Sequence, residues 1–211
     1  MPTAPLNIVL PLTLEGSVVR LEPIRREHAE LFWNVAKNDL DDIFRWIPYS
    51  MKTPEDFQRL IAKAFDEQDR GESIVLATIE RSSGRAIGST RFMNIDRINR
   101  RVEIGSTWIA PPWQRTAVNT EAKYLMLRHA LEVWHCIRVE LKTDALNQKS
   151  RNAILRIGAK EEGTLRRHLL TSTGRVRDTV YFSILDNEWP EVKTRLEARL
   201  SKSADTRRTE G

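Results

Sequence analysis

The sequence predicts an α/β fold of the α+β kind: one mixed, mostly antiparallel sheet with helices on both faces. Three observations carry this. Strand and helix patterns do not alternate regularly but follow the order β-α-α-β-β-β-α-β-α-β-β, which a regularly wound parallel sheet would not show. Two pairs of strand patterns are joined by turn-forming stretches, Ser82-Ser83-Gly84 and Thr173-Gly174, the mark of antiparallel hairpins. Between them, residues 101–133 read as a strand, a short proline-led loop and a long amphipathic helix.

In order, residues 1–16 hold three prolines and a glycine and read as an irregular lead-in. Val18–Leu21 is a first strand, ended by Glu22-Pro23, and Leu31, Phe32 and Val35 mark a helix over 27–38. A polar loop follows with Asp39, Asp41 and Asp42, then Trp46 and Tyr49. Thr53-Pro54-Glu55-Asp56 opens the next helix: threonine caps, proline suits the first turn, and acids complement the helix dipole. Gly71 ends it, and strands are expected over Ser73–Glu80 and Ala86–Met93. In the strand at 101–110, Val102, Ile104 and Trp108 alternate with Arg101, Glu103 and Thr107, until Pro111 and Pro112 stop the ladder. Val118, Ala122, Leu125, Met126, Ala130 and Val133 form one face of a helix over 118–134. Arg138–Thr143 alternates as a strand, Asn147 caps a helix that Gly158 stops, and Thr164–Leu170 and Val176–Leu185 form a hairpin. Glu191–Leu200 is the final helix, and the polar tail 201–211 is expected to be disordered. Without a linker or repeat, residues 1–200 read as one domain.

The chain of 211 residues, 40% hydrophobic and 30% charged, has the composition of a globular protein. No apolar run reaches membrane-spanning length, and Met1–Leu6 lack the basic segment of a signal peptide. The single cysteine, Cys136, excludes an internal disulfide and suits a reducing cytoplasm, and its expected place is the core. The net charge of +5 comes with interleaved acids and bases, so nucleic acid is not the favoured partner. A polyanionic small molecule, docking on a ribosome or simple solubility explains the excess equally well. No His, Cys and carboxylate cluster has metal-ligand spacing.

Gln114-Arg115-Thr116-Ala117-Val118-Asn119 opens the long helix, where free backbone N–H groups and the positive end of the dipole suit a phosphate. With Glu103 upstream and Asn147-x-x-Ser150 downstream, this stretch resembles the pyrophosphate loop of the GNAT superfamily of acyl-CoA-dependent N-acyltransferases, most closely the RimJ/RimL ribosomal-protein type. The resemblance spans roughly residues 17–190. It implies the GNAT fold and an acetyl-CoA co-substrate whose pyrophosphate is held by the backbone of Gln114, Arg115, Thr116, Ala117, Val118 and Asn119, with Thr120 close by. It implies that main-chain groups near Trp108, Ile109 and Ala110 pair with the pantetheine arm, which Asn147 also contacts. Glu103 would be the general base, directly or through water, and Ser150 would protonate the departing thiolate, with Tyr124 and Tyr181 in reserve. Ala117 departs from the usual glycine. If φ there must be positive, alanine costs about 1–2 kcal/mol; at negative φ the methyl is harmless.

Each residue also has a plainer reading. Glu103 suits an ion pair with Arg101, Asn147 suits an N-cap, and serine is common in a first helical turn. Asp39, Asp41 and Asp42 would attract a cationic amine, with Trp46 and Tyr49 walling the acceptor groove, or they form a solvated loop beside core aromatics. Reference pKa values favour a weakly basic acceptor: an α-amine titrates near about 8 and lysine near about 10.4, against about 4.3 for glutamate. The reading is therefore a cytoplasmic N-acetyltransferase acting on a protein N-terminal α-amine or a small-molecule amine by direct ternary-complex transfer. Transfer of another acyl group such as succinyl, and a non-catalytic CoA sensor, are the rivals; a homodimer is left open.

Overall fold

The computed structural model describes residues 6–209. It holds strands β1 (Leu14–Glu15), β2 (Val19–Pro23), β3 (Ser73–Glu80), β4 (Ala86–Asp96), β5 (Arg101–Ile109), β6 (Arg138–Asp144), β7 (Lys160–Leu170) and β8 (Val176–Leu185). Helices are α1 (His28–Ala36), α2 (Leu40–Phe44), α3 (Pro54–Asp69), α4 (Ala117–Arg128), α5 (Gln148–Arg156) and α6 (Trp189–Thr209). The eight strands form one sheet in the order β1-β2-β3-β4-β5-β6-β8-β7. Neighbours are antiparallel except β5 and β6, which are parallel.

Two apolar layers cover the sheet. Val118, Leu125 and Met126 of α4 pack with Leu76, Phe92 and Ile104 of the strands. On the other face, Phe32 of α1, Phe44 of α2 and Phe57 of α3 surround Trp108. At the start of α3, the Asp56 carboxylate accepts from the N–H groups of Lys52 and Thr53, each at 2.8 Å. These bonds and Arg59 hold its carboxyl at about 2.

Several boundaries differ from the sequence reading. The segment read as a polar loop contains α2. Strand β7 starts four residues earlier than read; it is an edge strand exposed on nearly all positions, so no alternation of polarity marks it. The helical chain after α4 widens into a π-helical turn over His129–Val133. Helix α6 starts at Trp189 and continues to Thr209, where Leu200 was the expected end and a disordered tail was expected beyond it. Residues 201–209 contain no glycine or proline to stop it. The outermost residues of the lead-in and of the tail lie outside the described residues.

Helix α4 is fixed by one carboxylate. Glu121 accepts from Ser17 N–H at 2.9 Å, Ser17 Oγ at 2.7 Å, and Val18 and Val19 N–H at 2.7 Å each. Gly16 makes room for it: a Cβ there would lie 2.4 Å from Glu121 Oε2. Replacing Glu121 with alanine leaves three backbone donors without an acceptor. The expected cost is about 2–4 kcal/mol, measured as a lower urea midpoint and a lower melting temperature.

Candidate active site

Strands β5 and β6 pair at three positions only, Arg101↔Arg138, Val102↔Val139 and Glu103↔Glu140. Strand β5 continues to Ile109 and β6 to Asp144, so beyond Glu103 the two part and leave a slot. A bulge accompanies the parting. The register with β4 jumps from Arg91↔Gly105 to Ser89↔Trp108, and Ser106 adopts φ 44°. An extra residue in one strand bends it and shifts its side chains by one face. Trp108 therefore lies among the α1–α3 aromatics, opposite Val102 and Ile104, and Thr107 turns towards α4. The strict alternation read from the sequence put both on the wrong face, because a bulge breaks the period of two.

Glu103 is the last residue of the paired segment and is 2% exposed. Its Oε2 accepts from Lys142 Nζ at 2.9 Å and from Asn94 Nδ2 at 2.7 Å. Its partner is thus Lys142 and not Arg101, which pairs with Asp96 and Glu140. Lys142 offsets the cost of burying the carboxylate. Glu103 Oε1 rests over Gly105, where it would lie 2.9 Å from a Cβ. Glycine there keeps that oxygen beside the bulge. A cleft of about 800 Å³ opens onto Glu103, lined also by Asn94, Arg101, Glu140 and Tyr181. Tyr181 packs near Lys142 and His168, whereas the Tyr124 hydroxyl is tied to Glu197 at 2.6 Å, far from this role.

Across the slot, α4 presents its N-terminus. Thr116 is the N-cap; its Oγ1 accepts from Val118 N–H at 3.2 Å and donates to Trp113 O at 2.7 Å. The positive φ of the loop falls on Arg115, at 63°, not on Ala117, which opens the helix. The alanine therefore carries none of the backbone strain that the missing glycine threatened. Gln114 donates to the Ile109 carbonyl at 2.8 Å and meets Lys149 of α5, so the loop and the α5 N-terminus flank the same slot. The N–H of Ala110 is taken by Ile87 O at 2.9 Å on the β4 side. The antiparallel pattern then turns the Ile109 N–H away from β4, while its carbonyl is held by Gln114. On α5, Asn147 Oδ1 caps the helix by accepting from Ser150 N–H at 3.0 Å, which leaves the Asn147 amide donors and the Ser150 hydroxyl for other partners.

The residues read as acceptor-binding lie in separate surroundings. Tyr49 hydrogen-bonds the Ser106 side chain at the bulge, and burial of its hydroxyl raises its pKa. Trp46 lies against Arg175, and its carbonyl accepts from Arg177 at 3.4 Å. Asp39, Asp41 and Asp42 instead line a separate cleft with Lys37 and Lys52. Sequence reasoning missed Lys142, Asn94 and the buried Lys123. The alternation of Arg138–Thr143 places Lys142 on the polar side of its strand, but nothing local says that it meets Glu103. Cys136 is buried, which pushes its thiol up to about 12.

Chemically, parted strand edges offer main-chain donors and acceptors to an amide-bearing chain, and the helix terminus beside them suits an anion. A family model for the acetyltransferase (GNAT) domain matches residues 19–160. The chain belongs to the GNAT acetyltransferase family. The GCN5-related N-acetyltransferase of Brucella melitensis superposes on this GNAT chain with a TM-score of 0.86 at 31% identity, over 92% of this chain and 88% of that one. YdaF of Bacillus subtilis (strain 168), whose name proposes a ribosomal N-acetyltransferase, is 36% identical over 106 residues, 50% of this chain and 57% of YdaF. The match thus spans little more than half of that relative. RimJ of Mycobacterium smegmatis, solved with CoA-disulfide, has a TM-score of 0.78 at 23% identity over 90% of this chain and 95% of that one, a likeness of fold. Among the described residues there is no group of three or more His, Cys, Asp or Glu able to hold a metal, and no helix long and apolar enough to cross a membrane.

Two expectations follow. Ala117→Gly leaves acetyl-CoA affinity unweakened in calorimetric titration, because no positive φ needs relief. Cys136 stays unreactive towards a thiol reagent at pH 8 in the native protein and reacts on unfolding.

Proposed function

We propose that this chain is a cytoplasmic N-acetyltransferase that moves an acetyl group from acetyl-CoA to an amine, a protein N-terminal α-amine or a small-molecule amine, in a ternary complex. The observation that carries the reading is the slot that opens beyond Glu103, with the N-terminus of α4 and, joined to its loop through Lys149 and Gln114, the N-terminus of α5 flanking it. The name of YdaF and the CoA-disulfide held by the RimJ neighbour support it.

In this reading, backbone N–H groups from Gln114 to Asn119, with Thr120 and the Arg115 guanidinium nearby, hold the pyrophosphate. The Ile109 N–H in β5 and the amide donors of Asn147 align the pantetheine arm, as an added strand is aligned. Trp108, whose backbone pairs with Ser89 of β4, fixes β5 by its buried ring. The acceptor amine enters by the cleft over Glu103. Glu103 Oε1, the carboxylate oxygen left free by Lys142 and Asn94, accepts the amine proton directly or through water as nitrogen bonds to the acyl carbon. Ser150 Oγ donates a proton to the sulfur as the carbon–sulfur bond breaks. Positioning and charge stabilisation supply the rate, with no covalent enzyme intermediate. Trp46 and Tyr49 wall the acceptor side. The non-catalytic sensor reading rested on Ala117, whose backbone conformation lends it no support.

Glu103→Gln is expected to lower kcat by about a hundredfold or more while acetyl-CoA affinity barely changes. Free-thiol release across an amine panel, with calorimetry for affinity, checks both. Wild-type rates in the glutamine variant at every pH would remove Glu103 from its role.

A further inference from the structure

Lys123 has no part in the chemistry above, yet it is 6% exposed and lies directly beneath the bulge. Its Nζ is 2.6 Å from Thr107 Oγ1 and 3.3 Å from Thr90 Oγ1, and these two hydroxyls are 2.8 Å apart. Thr90 also donates to Met126 Sδ at 3.6 Å. The amine therefore ties α4 to both strands at the point where β5 carries its extra residue.

Among the described residues, no carboxylate pairs with it. On α4, Glu121 is committed to the Ser17–Val19 backbone, and Arg128 lies over Tyr124. On β4 and β5, Arg91 pairs with Glu67 and Glu103 with Lys142, on the opposite face of the sheet. On β2, Arg20 and Arg25 hold Glu22; on α6, Glu197 accepts from Tyr124; His129 stacks against Trp134. Burial alone brings the Lys123 ammonium down to about 7. A buried amine held by hydroxyls and lacking a counter-charge is a group whose protonation a nearby anion would control.

We propose that Lys123 is a positioning residue of the acyl-CoA site: it braces the Ser106 bulge through Thr107 and Thr90, and it takes up a proton when the polyanionic co-substrate binds at the N-terminus of its own helix. This rests on the acetyl-CoA reading above. Lys123 follows Ala117 by six residues, which is about 9 Å along the helix axis. Phosphates bound at that terminus lie within reach of an amine in a medium that screens charge poorly. The ligand stabilises the ammonium form, and by linkage the same proton strengthens ligand binding.

The test is calorimetric titration of the full chain with acetyl-CoA at pH 8, in two buffers of different ionisation enthalpy. At that pH the ligand's phosphates have already lost their protons, since their second pKa is about 6. Wild type is expected to take up a large fraction of a proton. Lys123→Met, which keeps the buried stem, is expected to lose that uptake and bind more weakly at pH 8. Thr107→Val, which removes the nearer hydrogen bond, is expected to keep the uptake and raise the KM for acetyl-CoA, and it serves should the methionine variant not fold. Binding by wild type without proton uptake, or equal uptake in Lys123→Met, overturns the proposal and leaves the acetyl-CoA site standing. Failure of wild type to bind acetyl-CoA overturns both.

Discussion

Parallel neighbouring strands must satisfy their main-chain groups from one another, and β5 and β6 do so for only three residues. Everything proposed for this chain depends on that short agreement. Beyond it, strand edges that would ordinarily be buried in a ladder face a slot in the middle of an eight-stranded sheet. Such edges attract an extended chain carrying amides, the same force that draws a peptide onto an exposed strand. The Ser106 bulge accompanies the divergence and puts consecutive side chains to different uses: Glu103 faces the cleft, Thr107 faces α4, and Trp108 sits among the aromatics of α1–α3.

The slot needs firm walls, and each has a separate fastening. Strand β6 is held by β8 from Arg138 to Asp144, so it does not close towards β5. Helix α4 is held by the bonds of Glu121 to the β1–β2 turn. The α5 N-terminus is capped by Asn147 and joined to the loop by Lys149 and Gln114. Several buried charges near the slot are paired with an opposite charge, and Glu121 is held by three backbone N–H groups and a hydroxyl instead. Glu103 has Lys142, Arg91 has Glu67, and Asp144 has Arg175. Lys123 has the hydroxyls of Thr107 and Thr90.

The elements legible in sequence were those whose local chemistry agrees with their tertiary role. Strand β3 spans Ser73–Glu80 as its pattern reads, because both its faces are covered and a continuous apolar run marks it. The start of α3 at Pro54 and the cap at Asn147 are local hydrogen-bond statements, and they stand. The edge strand β7 was misjudged, since exposed positions carry no burial pattern, and α6 runs past its expected end because no glycine or proline stops it. The loop at Gln114–Asn119 and the two helix starts were visible because they are short-range features, whereas the roles given to Glu103 and Ser150 came from the family resemblance alone. The Lys142 partner of Glu103, the exclusion of Asp39 and Asp42, and the contact of Tyr49 with Ser106 were not visible.

By itself the sequence determined the fold class, the strand–loop–helix unit over residues 101–133, and the residue types that flank it. These follow from periodicity, caps and prolines, which act over one or two turns of chain. Only the tertiary structure decided where β5 leaves β6, which face Trp108 occupies, and which lysine meets Glu103 and which meets none. Those outcomes depend on pairing between segments tens of residues apart, and one inserted residue in a ladder reverses every side chain after it.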